Sequence, residues 1–205
     1  EYITPSSKII LQRVDSVALS QDTTSALYGA YRLARADAGG MAYFDTSVDG
    51  FWRSFIAAAL VAPLFALFLA IRFNTGDFEI SAMRFAAVET IAYVIAWLIF
   101  PLIMFHICQA IEREQEFIGY IVAYNWASVW QNLVYLPFVI LSELGYLSAG
   151  AGRAMGMLVL IMVMLYTWFI TKTALRITGV LATGLVVLDF VVSIILNALT
   201  EGMVR

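Results

Sequence analysis

Five long apolar runs dominate the chain and constrain its fold more than any other feature. They cover residues 54–71, 85–111, 117–142, 154–171 and 177–200, and short charged loops separate them. A run of about 18 or more residues with few charges is long enough to cross the hydrocarbon core of a bilayer. Such a run must be helical, because lipid offers no water to satisfy its backbone N–H and C=O groups. The pattern therefore predicts an all-α fold, a polytopic transmembrane helix bundle of about five spans.

The composition agrees with a membrane protein and excludes several kinds of site. Of the 205 residues 62% are hydrophobic and 13% are charged, whereas a soluble domain carries about a quarter charged residues. The single cysteine, Cys108, excludes a disulfide within the chain, and the single histidine, His106, excludes a multi-histidine iron or zinc centre. We therefore predict that this chain binds no metal or cofactor by itself.

No catalytic motif is present in the sequence. HExxH, GxSxG, P-loop and Rossmann glycine patterns are all missing. We therefore predict that the protein is not an enzyme. The expected partners are membrane lipids and other membrane-protein subunits, and no nucleic acid is expected.

The distribution of Lys and Arg predicts the orientation. Residues 1–50 form an N-terminal cytoplasmic or interfacial segment, and residues 51–205 form the transmembrane domain. The basic residues on the N-terminal side of the spans are Lys8, Arg13, Arg32, Arg35, Arg53, Arg113, Lys172 and Arg176. Those on the other side are fewer: Arg72, Arg84, Arg153 and Arg205. The positive-inside rule then places the N-terminus in the cytoplasm.

The N-terminal segment contains one predicted amphipathic helix, Thr24 to Ala36. Thr23 or Thr24 is its expected cap, and Gly39-Gly40 is its expected stop. Its two faces carry different side chains, with Leu27, Ala30, Tyr31 and Ala34 on one and Arg32 and Arg35 on the other. Such a helix either lies on the cytoplasmic leaflet or packs against the bundle or a neighbouring subunit.

Two shorter patterns flank this helix. The spacing of Ile10, Val14 and Val17 predicts another short helix near the N-terminus. Asp49-Gly50 predicts a turn that leads into the first span.

Small residues predict where the helices pack together. In lipid, helices associate through small faces that let their backbones approach closely. The first span repeats a small residue at every fourth position: Ser54, Ala58, Ala62, Ala66 and Ala70. We interpret these residues as a packing seam, which faces either this bundle or another subunit. Gly152 and Gly156 form a GxxxG pattern at the start of the fourth span, which is either a helix contact or a flexible loop end.

Three ionisable residues lie inside the predicted spans and are candidates for function, since a charge in hydrocarbon is costly. These are Glu89, His106 and Asp189. In the predicted topology Glu89 and Asp189 lie in the same half of the bilayer, where they could share a proton as neighbours. The alternative is that Glu89 is interfacial and Asp189 is bonded to a neighbouring helix. His106 is expected to be structural.

A polar stripe follows one face of the third span. It consists of Tyr120, Tyr124, Ser128, Gln131 and Tyr135, with Asn125 and Asn132 beside it. These groups must face protein or water rather than lipid. They either line a cavity or hold helices together by hydrogen bonds.

The layout resembles that of the Yip-type membrane proteins. The likeness covers about residues 51–200 and is clearest in residues 157–196, where two apolar helices are joined by a short basic turn. The stretch GGMAYFDTSVDGFWRSF, residues 39–55, is similar to inner-membrane proteins of alphaproteobacteria. The resemblance implies an integral protein of a bacterial inner membrane that works through partners or lipids, and it assigns no functional residue.

The sequence thus supports two hypotheses about function. The first is a non-catalytic membrane protein that acts as an accessory subunit, assembly factor or membrane organiser through helix contacts. The second is a small proton- or ion-coupled transporter that uses Glu89 and Asp189.

Overall fold

The structure, a computed structural model, describes residues 21–204, which form helices joined by short loops. Helix α1 covers residues 21–34, and a short 3-10 helix follows at Ala38–Tyr43. The remaining helices are α2 Val48–Ser54, α3 Ile56–Thr75, α4 Ala82–Ala110, α5 Glu114–Glu143, α6 Ala149–Leu175 and α7 Gly179–Val204. The predicted all-α fold is confirmed for this part of the chain. The short helix predicted around Ile10, Val14 and Val17 lies outside the described residues.

Within residues 21–204, four helical segments are long and apolar enough to cross a membrane. They are Val48–Thr75, Ala82–Ala110, Ala149–Leu175 and Gly179–Val204. Helix α5 has 30 residues, yet its composition is too polar for it to count among them. The architecture is that of an integral membrane protein, with four apolar helices and one long helix of mixed character.

Helix α5 lies at the centre of the bundle. It packs against α2, α3, α4 and α6, while α3, α4, α7 and α6 contact one another in that order. Its N-terminal half is covered on all sides: Tyr120, Ile121, Ala123 and Ala127 are fully buried. Because the other helices cover α5, its polar side chains do not have to face lipid.

The first span begins earlier than the sequence pattern indicated. Ser47 caps α2 by accepting a hydrogen bond at its Oγ from the backbone N–H of Gly50, at 3.0 Å. Asp49 and Gly50 therefore lie in the first turn of a helix, and the prediction of a turn at these residues is wrong. Gly50 is required there, because a Cβ atom would lie 2.2 Å from the carbonyl oxygen of Asp45.

Helix α1 is present, but its ends and its buried face differ from the prediction. Residue 21 is already helical, so neither Thr23 nor Thr24 begins the helix. The helix ends before Ala36, whose φ of 57° is left-handed and turns the chain ahead of Gly39. The face that is buried consists of Ala26, Gly29, Ala30 and Leu33. Leu27 and Tyr31 are only partly covered, and Ala34 is exposed.

Two hydrogen bonds fasten α1 to the bundle. The indole N–H of Trp130 on α5 donates to the carbonyl oxygen of Leu27 at 3.0 Å. The hydroxyl of Tyr166 on α6 donates to the carbonyl oxygen of Ala30 at 2.6 Å. One of the predicted roles for this helix, packing against its own bundle, is therefore confirmed.

The last two spans form the expected hairpin. Helices α6 and α7 are joined by residues 176–178, slightly later in the chain than the predicted linker. Arg176 ends α6 with a left-handed backbone, at a φ of 53°. The indole N–H of Trp168 donates to the carbonyl oxygen of Gly179 at 3.1 Å and holds the turn closed.

The packing of α3 on α5 makes a specific prediction for two alanines. Ala57 is fully buried, whereas Ala59 lies on the exposed side of the same helix. We expect Ala57→Leu to lower the free energy of unfolding by about 1–3 kcal/mol, because a larger side chain overpacks the contact. Ala59→Leu is the matched control and should change little. Unfolding in mixed detergent micelles measures both, and equal effects would contradict the assigned orientation of α3.

Candidate functional site

Asp189 is the carboxylate farthest from either end of its helix, and it is bonded to α5. It lies ten residues, or about 15 Å, from the start of α7 at Gly179. The hydroxyl of Tyr124 lies 3.0 Å from its Oδ1 and 3.1 Å from its Oδ2 and donates to the carboxylate. The ring of Phe100 packs against Tyr124 at 4.6 Å between centroids. A single hydroxyl donor thus holds the carboxylate between two helices.

Most of the other polar side chains of the predicted stripe also bond to protein rather than line an opening, whereas Tyr135 is exposed on the surface of α5. Three of them reach neighbouring helices: Asn125 Nδ2 to Ser54 Oγ at 2.8 Å, Gln131 Nε2 to Thr167 Oγ1 at 3.0 Å, and the Tyr120 hydroxyl to Thr171 Oγ1 at 3.3 Å. Ser128 and Asn132 donate to backbone carbonyls one turn earlier in α5. Of the two predicted roles, the contacts favour hydrogen bonding between helices over a cavity.

Glu89 is paired with an arginine and not with Asp189. Glu89 is buried, and its Oε1 lies 2.7 Å from Nη1 of Arg72 on α3. Nη2 of Arg72 pairs with Glu201 on α7. Asp189 is twelve residues, or about 18 Å, from Glu201 along α7. The first of the two alternatives, in which the two carboxylates are neighbours, is therefore wrong, because Glu89 lies at the level of Glu201. The structure contains the bond to a neighbouring helix that the second alternative gave to Asp189.

The Arg72 cluster, defined as Arg72, Glu89 and Glu201, joins three helices at one end of the bundle. The guanidinium carbon of Arg72 also lies 5.6 Å from the centre of the Phe78 ring and 5.8 Å from that of Phe85. A guanidinium suits this position because it can bond two carboxylates and stack on aromatic faces at the same time. In the sequence, Arg72 served only to predict the orientation of the spans. A short loop joins the end of α3 to the start of α4, so Arg72 and Glu89 lie on the same side of the bundle.

The structure divides the predicted seam of small residues between the inside and the outside of the bundle. Ser54 is buried, Ala58 and Ala62 are partly buried, and Ala66 and Ala70 are exposed. The reason is geometric: a step of four residues turns a helix by about 400°, so the stripe moves by about 40° at each step. Within α3 it moves by about 120° from Ala58 to Ala70, and Ser54 belongs to the separate helix α2.

Gly152 and Gly156 face α5, so a helix contact accounts for their spacing. A Cβ atom would lie 3.4 Å from Ser142 Oγ at Gly152 and 3.5 Å from the Phe138 ring at Gly156. Both are ordinary contact distances, so α6 approaches α5 closely here.

His106 lies on the outer surface of α4 and takes no part in these polar contacts. Its ring meets the edge of Phe105 at 5.5 Å between centroids. Among residues 21–204, no three His, Cys, Asp or Glu side chains lie together as a metal site would require.

A second charged cluster lies at the opposite end of the spans. Arg53 pairs with Asp22 of α1 at 2.9 Å and with Asp45. The backbone N–H of Ser47 donates to Asp45 at 2.9 Å, and this bond lowers the pKa of the Asp45 carboxyl below its usual value. A cleft between α1, α2 and α5 is lined by these charged groups and by Trp126; neither Glu89 nor Asp189 lines it.

The Arg72 cluster can be tested by changing one or both partners of its buried pair. We expect Arg72→Leu to lower the free energy of unfolding by about 3 kcal/mol, because it leaves Glu89 buried without its cation. The double variant Arg72→Leu with Glu89→Leu should regain part of that loss. Arg84→Leu, at an exposed position of α4, is the control. If the single and double variants are equally stable, the pair does not hold the helices together.

Comparison with known proteins adds no relative to this description. No family model, curated protein or solved structure matches the chain significantly. The likeness to Yip-type proteins therefore stays a prediction, and the function has to be argued from the residues themselves.

Proposed function

We propose that the protein is a non-catalytic membrane protein that acts by association, as an accessory subunit, assembly factor or membrane organiser. The observation that carries this proposal is the outer face of α3. Ala59, Pro63, Ala66 and Ala70 are all exposed there. Their spacing of four, three and four residues places them on one face of a helix.

This outer face of α3 is suited to another helix. Small side chains let the backbone of a second helix approach closely, which is how helices associate in lipid. The neighbouring Leu60 and Leu67 are 47% and 52% exposed and offer apolar side chains at the edges of the stripe. By contrast, Tyr120, Tyr124, Asn125 and Gln131 of α5 already bond to other helices of the chain, so the outer contact would rest on close packing.

The setting that we propose is a bacterial inner membrane with the N-terminus in the cytoplasm. The excess of Lys and Arg at the N-terminal end of the spans supports this orientation. The likeness of residues 39–55 to alphaproteobacterial inner-membrane proteins supports the location.

Association through α3 can be tested with paired leucine substitutions. We expect Ala66→Leu with Ala70→Leu to release the protein from a larger complex while leaving its amount in the membrane unchanged, because the added side chains block close approach. Ala96→Leu is the matched control, since Ala96 is an exposed alanine on α4. A native gel after extraction in mild detergent, with mass spectrometry of each band, measures the change. A complex of unaltered size in the double variant would contradict the proposal.

The position of Asp189 within α7, ten residues from its start, favours a second candidate, a small proton- or ion-coupled transporter. A carboxylate near the middle of a span is costly to keep and often marks an ion pathway. The separation of Glu89 from Asp189 restricts this candidate, because any carrier site would have to use Asp189 without Glu89.

The transport candidate makes a prediction for Asp189. We expect Asp189→Asn to abolish proton or cation flux in vesicles, because a carboxamide carries no charge and cannot bind and release a proton as a carboxylate does, while the amount of protein stays the same. Asp49→Asn, at an exposed position in α2, should leave the flux unchanged. Full activity of a folded Asp189→Leu variant, followed with a pH-sensitive dye, would rule out the transport candidate.

A further inference from the structure

The outward side of α1 carries side chains that are typical of a membrane interface. Tyr28 and Tyr31 are 50% and 42% exposed, and Arg35 follows them on the same side of the helix. The guanidinium carbon of Arg35 lies 5.8 Å from the centre of the Tyr31 ring. Tyrosines and arginines are enriched where apolar tails meet polar headgroups, because each offers an apolar body and a polar tip.

The contact with α5 gives the depth of α1 relative to the end of the apolar segments. Leu27 accepts its hydrogen bond from Trp130. Trp130 is five residues beyond Asn125 on α5. Asn125 bonds to Ser54, which follows Arg53 and marks the start of the apolar part of the first span. At 1.5 Å per residue, Trp130 is about 7.5 Å further into the apolar region than this boundary.

The contact with α6 gives an independent and similar depth. Ala30 accepts its hydrogen bond from Tyr166. Tyr166 is six residues before Lys172, the charge that ends the apolar part of α6. This spacing corresponds to about 9 Å. Interfacial helices bury their apolar faces about 5–10 Å into the boundary between headgroups and acyl chains.

We propose that α1 lies within the leaflet at the N-terminal end of the spans, with Tyr28, Tyr31 and Arg35 in contact with phospholipid. The occupant of this surface is lipid because the surface continues from that of the spanning helix α6, at the depth where headgroups meet acyl chains. This inference concerns lipid and does not depend on the association proposed for α3.

The position of α1 also explains how α5 tolerates the bilayer. Trp126 is 4% exposed, and Asn125 is 1% exposed. Asp22, Thr23 and Ala26 of α1 line the same cleft as Trp126, so α1 lies over this side of α5. The inner face of α1 thus contacts protein while its outer face contacts phospholipid.

Spin labelling tests the proposal in the full chain. A label is placed at Tyr28→Cys in a Cys108→Ala background, and the protein is reconstituted in phosphatidylcholine and phosphatidylglycerol vesicles. Leu98→Cys, exposed on the apolar α4, serves as the lipid reference. Gln115→Cys, ten residues or about 15 Å outward of Asn125 on α5, serves as the water reference.

The expected result is a ratio of oxygen to nickel-chelate collisions at position 28 that lies between the two references. A label at Tyr31→Cys should also give a ratio between the two references, and this variant provides the test if Tyr28→Cys does not fold. A ratio equal to that of position 115 would overturn the proposal, because α1 would then lie in water. Protection from both reagents would also overturn it, because another protein would then cover the helix.

Discussion

A helix that is too polar to face lipid can stay in a membrane only if other helices cover it, and α5 imposes this condition on the whole bundle. Its amide, hydroxyl and phenol groups would each cost free energy in hydrocarbon if they lacked a partner. The structure meets the condition by packing α2, α3, α4 and α6 around α5. The four apolar segments then form the outer surface, where exposed leucine, isoleucine and valine side chains can contact lipid without an unsatisfied polar group.

The bonds that α5 makes are individually weak, so the arrangement depends on their number and on the two charged ends. A hydrogen bond between helices in a membrane contributes about 0.6 kcal/mol on average. At one end Arg72 joins α3, α4 and α7 through Glu89 and Glu201. At the other end Arg53 joins α2 to α1 and to the loop before α2 through Asp22 and Asp45. Both clusters lie near the ends of the apolar segments, where charged groups cost less than they do at the bilayer centre.

The apolar runs were enough to predict the helices, because length and hydrophobicity are properties of each segment alone. Which face of a helix is buried depends on its neighbours and was harder to predict. The seam from Ser54 to Ala70 was interpreted as one face, although a repeat of four residues drifts around a helix of 3.6 residues per turn. The buried face of α1 differs from the predicted face by one residue. Several small residues follow one another in that segment, so its sequence fits more than one buried face.

Contacts between distant parts of the chain could not be derived from spacing. The partners of the polar residues on α5 are threonines, a serine and an aspartate on other helices, and many arrangements satisfy such residues equally well. A contact between Glu89 and Asp189 was one of two alternatives, because the predicted topology placed both in the same half of the bilayer. Arg72 was the better candidate partner, because a short loop joins the end of α3 to the start of α4 and an opposite charge was available there.

The central position of α5 is tested most directly by cross-linking Ser54 to Asn125, whose side chains lie 2.8 Å apart from Oγ to Nδ2. The measurement uses the Ser54→Cys, Asn125→Cys pair in a Cys108→Ala background, oxidised with iodine in native membranes. We expect an intramolecular disulfide from this pair and none from the pair Ala59→Cys, Asn125→Cys, because Ala59 faces outward. A failure of the first pair to cross-link, with efficient cross-linking of the second, would show that α3 and α5 do not pack as described.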